Sequence, residues 1–253
     1  MSRVQKDLDQ YKTLLGLIGF PLSHSFSQSY FQKKFEEDQI LDHWYENFPI
    51  PEINHLPDLF SKHKNLIGIN VTIPYKEQVI PYLDQLDETA HAIQAVNTIK
   101  RVDGKLFGFN TDVYGFRQSI IPLLKPHHQR ALILGTGGAS KAVKYVLNSL
   151  GIEYLSISRN PIEDQIGYPD LNQTMIEFHS VIINTTPLGM VPKIDQFPDI
   201  PYQYISRHHL LYDLIYNPAE TAFLKFGKSR GAQIKNGHEM LILQAERAWA
   251  IWH

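Results

Sequence analysis

The stretch RALILGTGGASKAVKYVLNSLGIEYLSISRN, residues 130–160, decides the fold. ALIL is a short apolar run of strand type, GTGG is a glycine turn, KAVKYVLNSLG repeats its apolar residues at helical spacing, and YLSIS is a second strand-like run. One strand–turn–helix–strand unit of this kind is the building block of a parallel α/β sheet. Gly135 allows the tight turn, Gly137 lets backbone approach a pyrophosphate, and the helix start supplies unpaired N–H groups and partial positive charge. Ser140 takes the sixth position of this fingerprint, ordinarily Gly or Ala. The end of the next strand is the second test. A site for NAD places an acid there to hold the ribose hydroxyls. Here Glu153 falls too early, at the strand's start, and the strand ends in Ser158-Arg159. A carboxylate repels a 2′-phosphate and a guanidinium binds it in two-point fashion, so the pattern points to NADP(H) over NAD(H).

Outward from this unit, strands and helices alternate for most of the chain. LLGLIG (14–19), HWYENF (43–48) and LIGINVT (66–72) read as strands, with helical segments at 27–38, 51–62, 76–84 and 86–94 between and after them. AVNTIKRVDGKLFGFNTD (95–112) differs: Asp103-Gly104 between two strand-like runs signals a hairpin. The helical VYGFRQSIIPLL follows, and a domain boundary is expected here. In the second half HSVIINTTPLG and LLYDLIYNP read as further strands, ETAFLKFGKSRG as a helix, and EMLILQAERAWAIWH as a terminal helix apolar enough to require docking, expected back on the first domain. The layout is α/β in two domains with parallel sheets: residues 1–111 plus 237–253, and a Rossmann-like, doubly wound domain over 112–236.

Composition narrows the function classes. The chain has 253 residues, 43% hydrophobic and 20% charged, with a formal net charge of -2 and no basic run, so no nucleic-acid or anionic-membrane footprint is present. Zero cysteines exclude disulfides, thiolate nucleophiles and Cys-ligated metals, and suit a reducing, cytoplasmic setting. The polar N-terminus lacks a signal-peptide core, and no apolar run reaches the roughly 20 residues that span a bilayer. Twelve histidines carry no metal-ligand spacing; His127-His128 and His208-His209 lie in polar connections and are expected at the surface, and no metal is expected.

Chemistry-bearing residues gather around the first domain's strand ends. In GINVTIPYKE, Asn70 and Thr72 share a strand face and Lys76 follows just beyond it, where ligands of α/β sheets bind. A lysine beside a helix start is disfavoured by the macrodipole, which argues for a chemical role against the default of a surface lysine. Asn97 in AVNT and Asp112 in NTD bracket the hairpin; Asp112 also suits an N-cap. In GFPLSHSFSQ (19–28) Ser25 and Gln28 fit a capping box, and the serines equally suit a hydroxylated ligand.

Taken together, GFPLSHSFSQ, GINVTIPYKE, AVNT, GFNTDVYGF, GTGGAS, INTTPLGM, YDLIYNPAET and NGHEMLILQA resemble the shikimate dehydrogenase family, in order and over nearly the whole chain from about residue 14. The resemblance implies an NADP-dependent oxidoreductase of the shikimate pathway, which feeds aromatic amino-acid biosynthesis. Its reaction is the reversible reduction of 3-dehydroshikimate to shikimate, by a cytoplasmic monomer or homodimer whose partners are small molecules. It implies Lys76 and Asp112 as the catalytic pair, and Ser25, Ser27, Thr72, Asn97, Tyr216 and Gln244 as substrate contacts. For the cofactor it implies Gly135, Gly137, Gly138, Ala139, Ser158, Arg159, Thr185 and Gly237, the last beside the nicotinamide. His24 is assigned to packing. The chain departs from the family pattern at Ser158 and Asn160, where many members carry Asn and Thr, and at His238-Glu239. It also ends soon after the helix of Gln244, where many members carry one further helix. Two other readings stand beside this one. A quinate/shikimate dehydrogenase that prefers NAD is disfavoured by the absence of an acid after SIS. A non-catalytic metabolite-sensing module on the same fold is disfavoured by retention of Lys76 and Asp112.

Overall fold

A computed structural model describes residues 7–22 and 25–253. The chain divides into two compact units, residues 1–111 with 245–253, and 112–244.

In the first unit β1 (Thr13–Ile18), α1 (Phe26–Glu37), β2 (His43–Phe48), α2 (Leu56–Lys62), β3 (Leu66–Val71) and a single turn of helix, α3 (Tyr75–Gln78), come first. Next are β4 (Gln85–Leu86), α4 (Glu88–Ile93), β5 (Thr98–Val102), β6 (Lys105–Phe109) and α5 (Thr111–Ile120), which leads into the second unit. The sheet order is β2-β1-β3-β5-β6-β4. β1 pairs in parallel with both β2 and β3, but β3–β5 and β5–β6 are antiparallel, so this sheet is mixed and not parallel throughout. The hairpin at Asp103-Gly104, both residues at positive φ (50° and 80°), turns β6 back on β5, and the antiparallel seating of β5 on β3 is a separate, long-range pairing. β1 is buried along its whole length because both of its faces are covered. Leu14 and Ile18 join the core with Leu56, Leu66 and Ile69, while Leu15 and Leu17 face Phe31, Phe35 and Tyr45. The expected helix over 76–84 is only α3 followed by a 3-10 turn at Ile80–Tyr82, because Pro81 removes the donor a continuous helix needs.

The second unit holds β7 (Arg130–Leu134), α6 (Gly138–Ser149), β8 (Glu153–Ser158), β9 (Gln165–Gly167), α7 (Gln173–Phe178), β10 (Val181–Asn184), β11 (Leu210–Asp213), α8 (Ala222–Ser229), β12 (Gln233–Lys235) and the start of α9 (His238–Trp252). Its sheet, β12-β11-β10-β7-β8-β9, is parallel at every junction. Leu132, Leu134, Ile157, Ile182 and Leu211 pack with Ile176, Phe223 and Leu224 in one core. On α5, Phe116 meets the Tyr212 ring edge-on at 5.1 Å and the Ser119 hydroxyl bonds the Tyr212 hydroxyl at 2.6 Å.

The apolar terminal helix α9 docks where the sequence requires it, on the first unit. Ala245, Ala248 and Trp252 pack with Leu15, Leu17, Phe31 and Tyr45. The Trp252 indole N–H donates to the Ile99 carbonyl at 2.9 Å, and its ring lies so close to Gly68 that an added Cβ would stand 2.3 Å from it. The boundary between units falls inside this helix, after Gln244, and not at 237: Gly115 of α5 is pressed against the Met240 carbonyl and Gln244, which holds the first half of α9 with the second unit.

Two histidine expectations need correction. His128 and His209 are buried, not at the surface. His128 Nδ1 accepts the Lys125 N–H at 3.0 Å, and His209 Nε2 lies 2.9 Å from the Ile176 carbonyl, so both rings serve connections that the backbone cannot satisfy alone. Among the described residues no group of three His, Cys, Asp or Glu side chains could hold a metal ion, and no helix is long and apolar enough to cross a membrane.

Trp252→Ala is expected to destabilise the fold by about 3–5 kcal/mol through the lost ring and the cavity it leaves. Thermal and urea unfolding followed by circular dichroism measure this, and an unchanged midpoint would show that the end of α9 is not docked on Gly68.

Candidate active site

In the first unit the strand order reverses at β1: the chain goes to β2 on one side and to β3 on the other. In an open α/β sheet the carboxyl ends of strands at such a reversal form the ligand crevice. There the Thr72 N–H donates to the Ile18 carbonyl (2.9 Å), the Val71 N–H to the Asn97 carbonyl (2.8 Å), and the Val96 N–H to the Lys76 carbonyl (2.7 Å). These three backbone bonds bring Asn97 to one edge with Thr72 and Lys76, from which it is distant in sequence. Gly19 is part of the same packing, since a Cβ there would stand 2.5 Å from Thr72 Cγ2.

A line of polar side chains runs behind this edge. The Tyr45 hydroxyl donates to Asn70 Oδ1 at 2.8 Å, close to Ser27. The Asn70 amide donates to the Thr98 hydroxyl (3.1 Å) and the Asn97 carbonyl (3.3 Å). Asn97 Oδ1 accepts from the Thr98 hydroxyl (3.1 Å) and from the Thr111 N–H (2.7 Å), and its amide donates to the Thr111 hydroxyl at 3.0 Å. Asp112 therefore follows directly on a residue held by Asn97. It is the second residue of α5, not its N-cap, and it is buried.

Ser25 is the N-cap of α1, its hydroxyl accepting the Gln28 N–H at 3.2 Å. Only half of the expected capping box forms. The Gln28 side chain turns to β2, where Asn47 donates to its Oε1 at 2.9 Å. A hydroxyl that accepts at a cap keeps its own hydrogen for a second partner, so capping and ligand binding do not compete at Ser25. His24 lies outside the described residues.

In the second unit the reversal falls between β7 and β10. Gly135 has φ of 105°, and a Cβ there would stand 2.8 Å from Thr185 Oγ1, so the turn demands glycine. Thr185 binds the Leu134 carbonyl through both its N–H (2.9 Å) and its hydroxyl (2.8 Å), and the Gly135 N–H donates to the Ile157 carbonyl (2.9 Å). Glycine turn, Thr185 and the Ser158-Arg159 segment thus share one sheet edge. A Cβ added at Gly137 or Gly138 would meet no protein atom within 4 Å. That open cradle at the start of the twelve-residue α6, lined by backbone N–H groups, fits a pyrophosphate. Ser140 is tolerated in the fingerprint because its hydroxyl donates back to the Gly137 carbonyl at 2.7 Å. Arg159 is exposed and, among the described residues, makes no ion pair; Ser158 accepts the Asn160 N–H at 3.3 Å and shapes the turn. Ala139 is exposed, Tyr216 is partly exposed after β11, Gly237 donates its N–H to the Ile215 carbonyl, and Gln244 packs against Gly115, three residues past Asp112. Glu239 pairs with Lys235 at the end of β12, which gives this unusual position a structural role.

The sequence reading missed Tyr45 and the buried set Asn184, Asp213 and Thr221. The signal was present in LLYD: an acid closing an apolar buried strand must find partners.

Comparison with known proteins bears on these two edges. The model of the shikimate dehydrogenase substrate binding domain matches residues 17–99, which contain Ser25, Ser27, Thr72, Lys76 and Asn97. The shikimate dehydrogenase (NADP(+)) of Desulforamulus reducens is 36% identical, over 94% of this chain and 88% of its own. The crystal structure of shikimate dehydrogenase from Aquifex aeolicus superposes with a TM-score of 0.84 at 34% identity, over 96% of this chain and 92% of that one. That of Thermus thermophilus in complex with NADP(H) and shikimate superposes with a TM-score of 0.83 at 29% identity, over 95% and 93%. With relatives this similar along almost its full length, the chain belongs to the shikimate dehydrogenase family.

Proposed function

We propose that this chain catalyses the reversible, NADP(H)-dependent reduction of 3-dehydroshikimate to shikimate. The observation that carries the reading is the meeting of Thr72, Lys76 and Asn97 at the carboxyl edge of β1 and β3, in a family whose relatives bear that activity in their names. Bound NADP(H) supplies the hydride in this reaction. The residues of the chain bind, orient and manage charge. As the carbonyl of the substrate is reduced, negative charge grows on its oxygen, and the Lys76 ammonium donates to that oxygen. Asp112 balances and orients the ammonium. Ser25, Ser27, Thr72, Asn97, Tyr216 and Gln244 hold the carboxylate and ring hydroxyls; short hydroxyl and amide side chains can each donate and accept to such a polyol. At the start of α1, the cap hydroxyl of Ser25 and the helix N–H groups favour the carboxylate. For the cofactor, Gly135, Gly137, Gly138 and Ala139 cradle the pyrophosphate, Thr185 and Gly237 flank the dinucleotide, and Ser158-Arg159 takes the 2′-phosphate. Residues 1–111 with the end of the chain, 245–253, are accordingly read as the substrate domain, and 112–244 as the cofactor domain. A cytoplasmic location belongs to the same reading.

Lys76→Ala is expected to lower kcat by roughly 10²–10⁴ with a smaller change in KM for shikimate. Steady-state NADPH formation measures it, and full turnover in the variant would remove Lys76 from the mechanism. Arg159→Ala is expected to weaken NADP+ binding by about 1.5–3 kcal/mol, the value of hydrogen bonds to a charged group. An unchanged KM for NADP+ would contradict the assignment of the 2′-phosphate to this guanidinium.

A further inference from the structure

β10 and β11 end side by side on Asn184 and Asp213, which are register partners. Both side chains are fully buried, as is Thr221. The Asp213 carboxyl receives three hydrogen bonds: from the Asn184 amide (3.1 Å) and the Ile215 N–H (3.0 Å) on Oδ1, and from the Thr221 hydroxyl (2.6 Å) on Oδ2. Asn184 passes the constraint on. Its Oδ1 accepts from the N–H (3.0 Å) and hydroxyl (2.7 Å) of Thr186, and its amide reaches the Leu188 carbonyl at 3.4 Å. On the other side the Leu214 N–H donates to the Asn184 carbonyl, and the Ile215 carbonyl accepts the Gly237 N–H, both at 3.0 Å. Gly237 is pressed so closely on Leu214 that a Cβ there would stand 2.1 Å from its carbonyl oxygen. Three segments therefore radiate from one buried carboxyl: the one with Thr185, the one with Tyr216, and the turn at Gly237.

We propose that Asp213 is a positioning residue for NADP(H), its buried carboxylate tying the segments that carry Thr185, Tyr216 and Gly237 to one point. The proposal rests on the cofactor reading above and extends it to a side chain set back from the ligand-facing edge. All three bonds run toward the carboxyl as donors, so the ionised form is the one that completes the clamp. Among the described residues no opposite charge is seen to act on it; a titratable neighbour is Tyr202, whose hydroxyl donates to the Pro198 carbonyl. Burial accordingly pushes the carboxyl up to about 6 in spite of the three bonds, which lower it. A carboxyl whose pKa is higher in the fold than in the unfolded chain costs stability above that pKa, and the cost vanishes as pH falls below the unfolded value. The clamp is thus bought with stability at neutral pH, and the two properties separate on substitution.

The test uses the full chain and direct NADP+ binding by calorimetry, with melting curves at pH 8 and pH 5. Asp213→Asn keeps the shape and removes the charge. Its Kd for NADP+ is expected to rise about tenfold, as for a lost charge-assisted bond. Its Tm at pH 8 is expected to equal or exceed that of the unsubstituted chain, with any gain shrinking at pH 5. Thr221→Val keeps the carboxylate, removes one donor, and is expected to raise Kd in the same direction. Unchanged affinity in either variant overturns the proposal. So does a loss of affinity in Asp213→Asn that only follows a fall in Tm at pH 8, since that is ordinary destabilisation. Failure of the unsubstituted chain to bind NADP+ counts against the cofactor reading itself.

Discussion

The side-chain amide of Asn97 is the point at which the first unit is closed. It sits buried between two strands and the start of a helix; its Oδ1 accepts from Thr98 and Thr111, and its amide nitrogen gives one of its two hydrogens to the Thr111 hydroxyl. α5 begins at Thr111, and the first N–H groups of a helix have no partner within it. Asn97 Oδ1 fills one of those vacancies from just ahead of β5, so Thr111, where the first unit ends, is held by a tertiary hydrogen bond. A buried donor left unmet costs about 1–3 kcal/mol, comparable with a sizeable share of a domain's net stability. The same residue is tied through Thr98 and Asn70 to Tyr45 on β2. One connected set of side chains therefore ties β2, β3 and β5 to one another and to Thr111, and Asn97, a proposed substrate contact, is part of it.

The second unit solves the matching problem with a carboxylate where the first uses an amide. In both, the strand order reverses and the carboxyl ends of neighbouring strands are left with backbone groups that no strand continues to satisfy. An amide can donate and accept, so Asn97 joins groups of both kinds at no charge penalty. Asp213 only accepts when ionised, binds three donors, and bears the cost of burial. The exposed glycines 137 and 138 complete the contrast: their open backbone contributes little to packing, and its N–H groups are left for a ligand.

What the sequence disclosed follows the range of the interactions. β1, the Asp103-Gly104 hairpin and the turn at Gly135 are set by residues adjacent to one another, and all three are where local pattern puts them. The mixed character of the first sheet was hidden because pairing of β3 with β5 is a long-range choice that strand-like composition does not encode. Pro81 in 76–84 was visible but outweighed by apolar spacing. The capping box was half right: Gln28 found a better partner in Asn47, on a strand it meets only after folding. β9 and β12 are three-residue edge strands, too short for any periodicity to show. Site residues embedded in motifs could be named one by one from the family resemblance. Asp213, Asn184 and Tyr45 could not, since they act through side chains that meet only in three dimensions.

The central claim joins one substrate to one cofactor, and the most direct measurement is initial-rate reduction of NADP+ by the full chain with shikimate, run in parallel with quinate and with NAD+. The account predicts reduction of NADP+ with shikimate, and a kcat/KM about tenfold or more lower when NAD+ replaces NADP+, because Arg159 loses the phosphate it would bind. Preference for NAD+, or binding of shikimate and NADP+ without reduction, would contradict it.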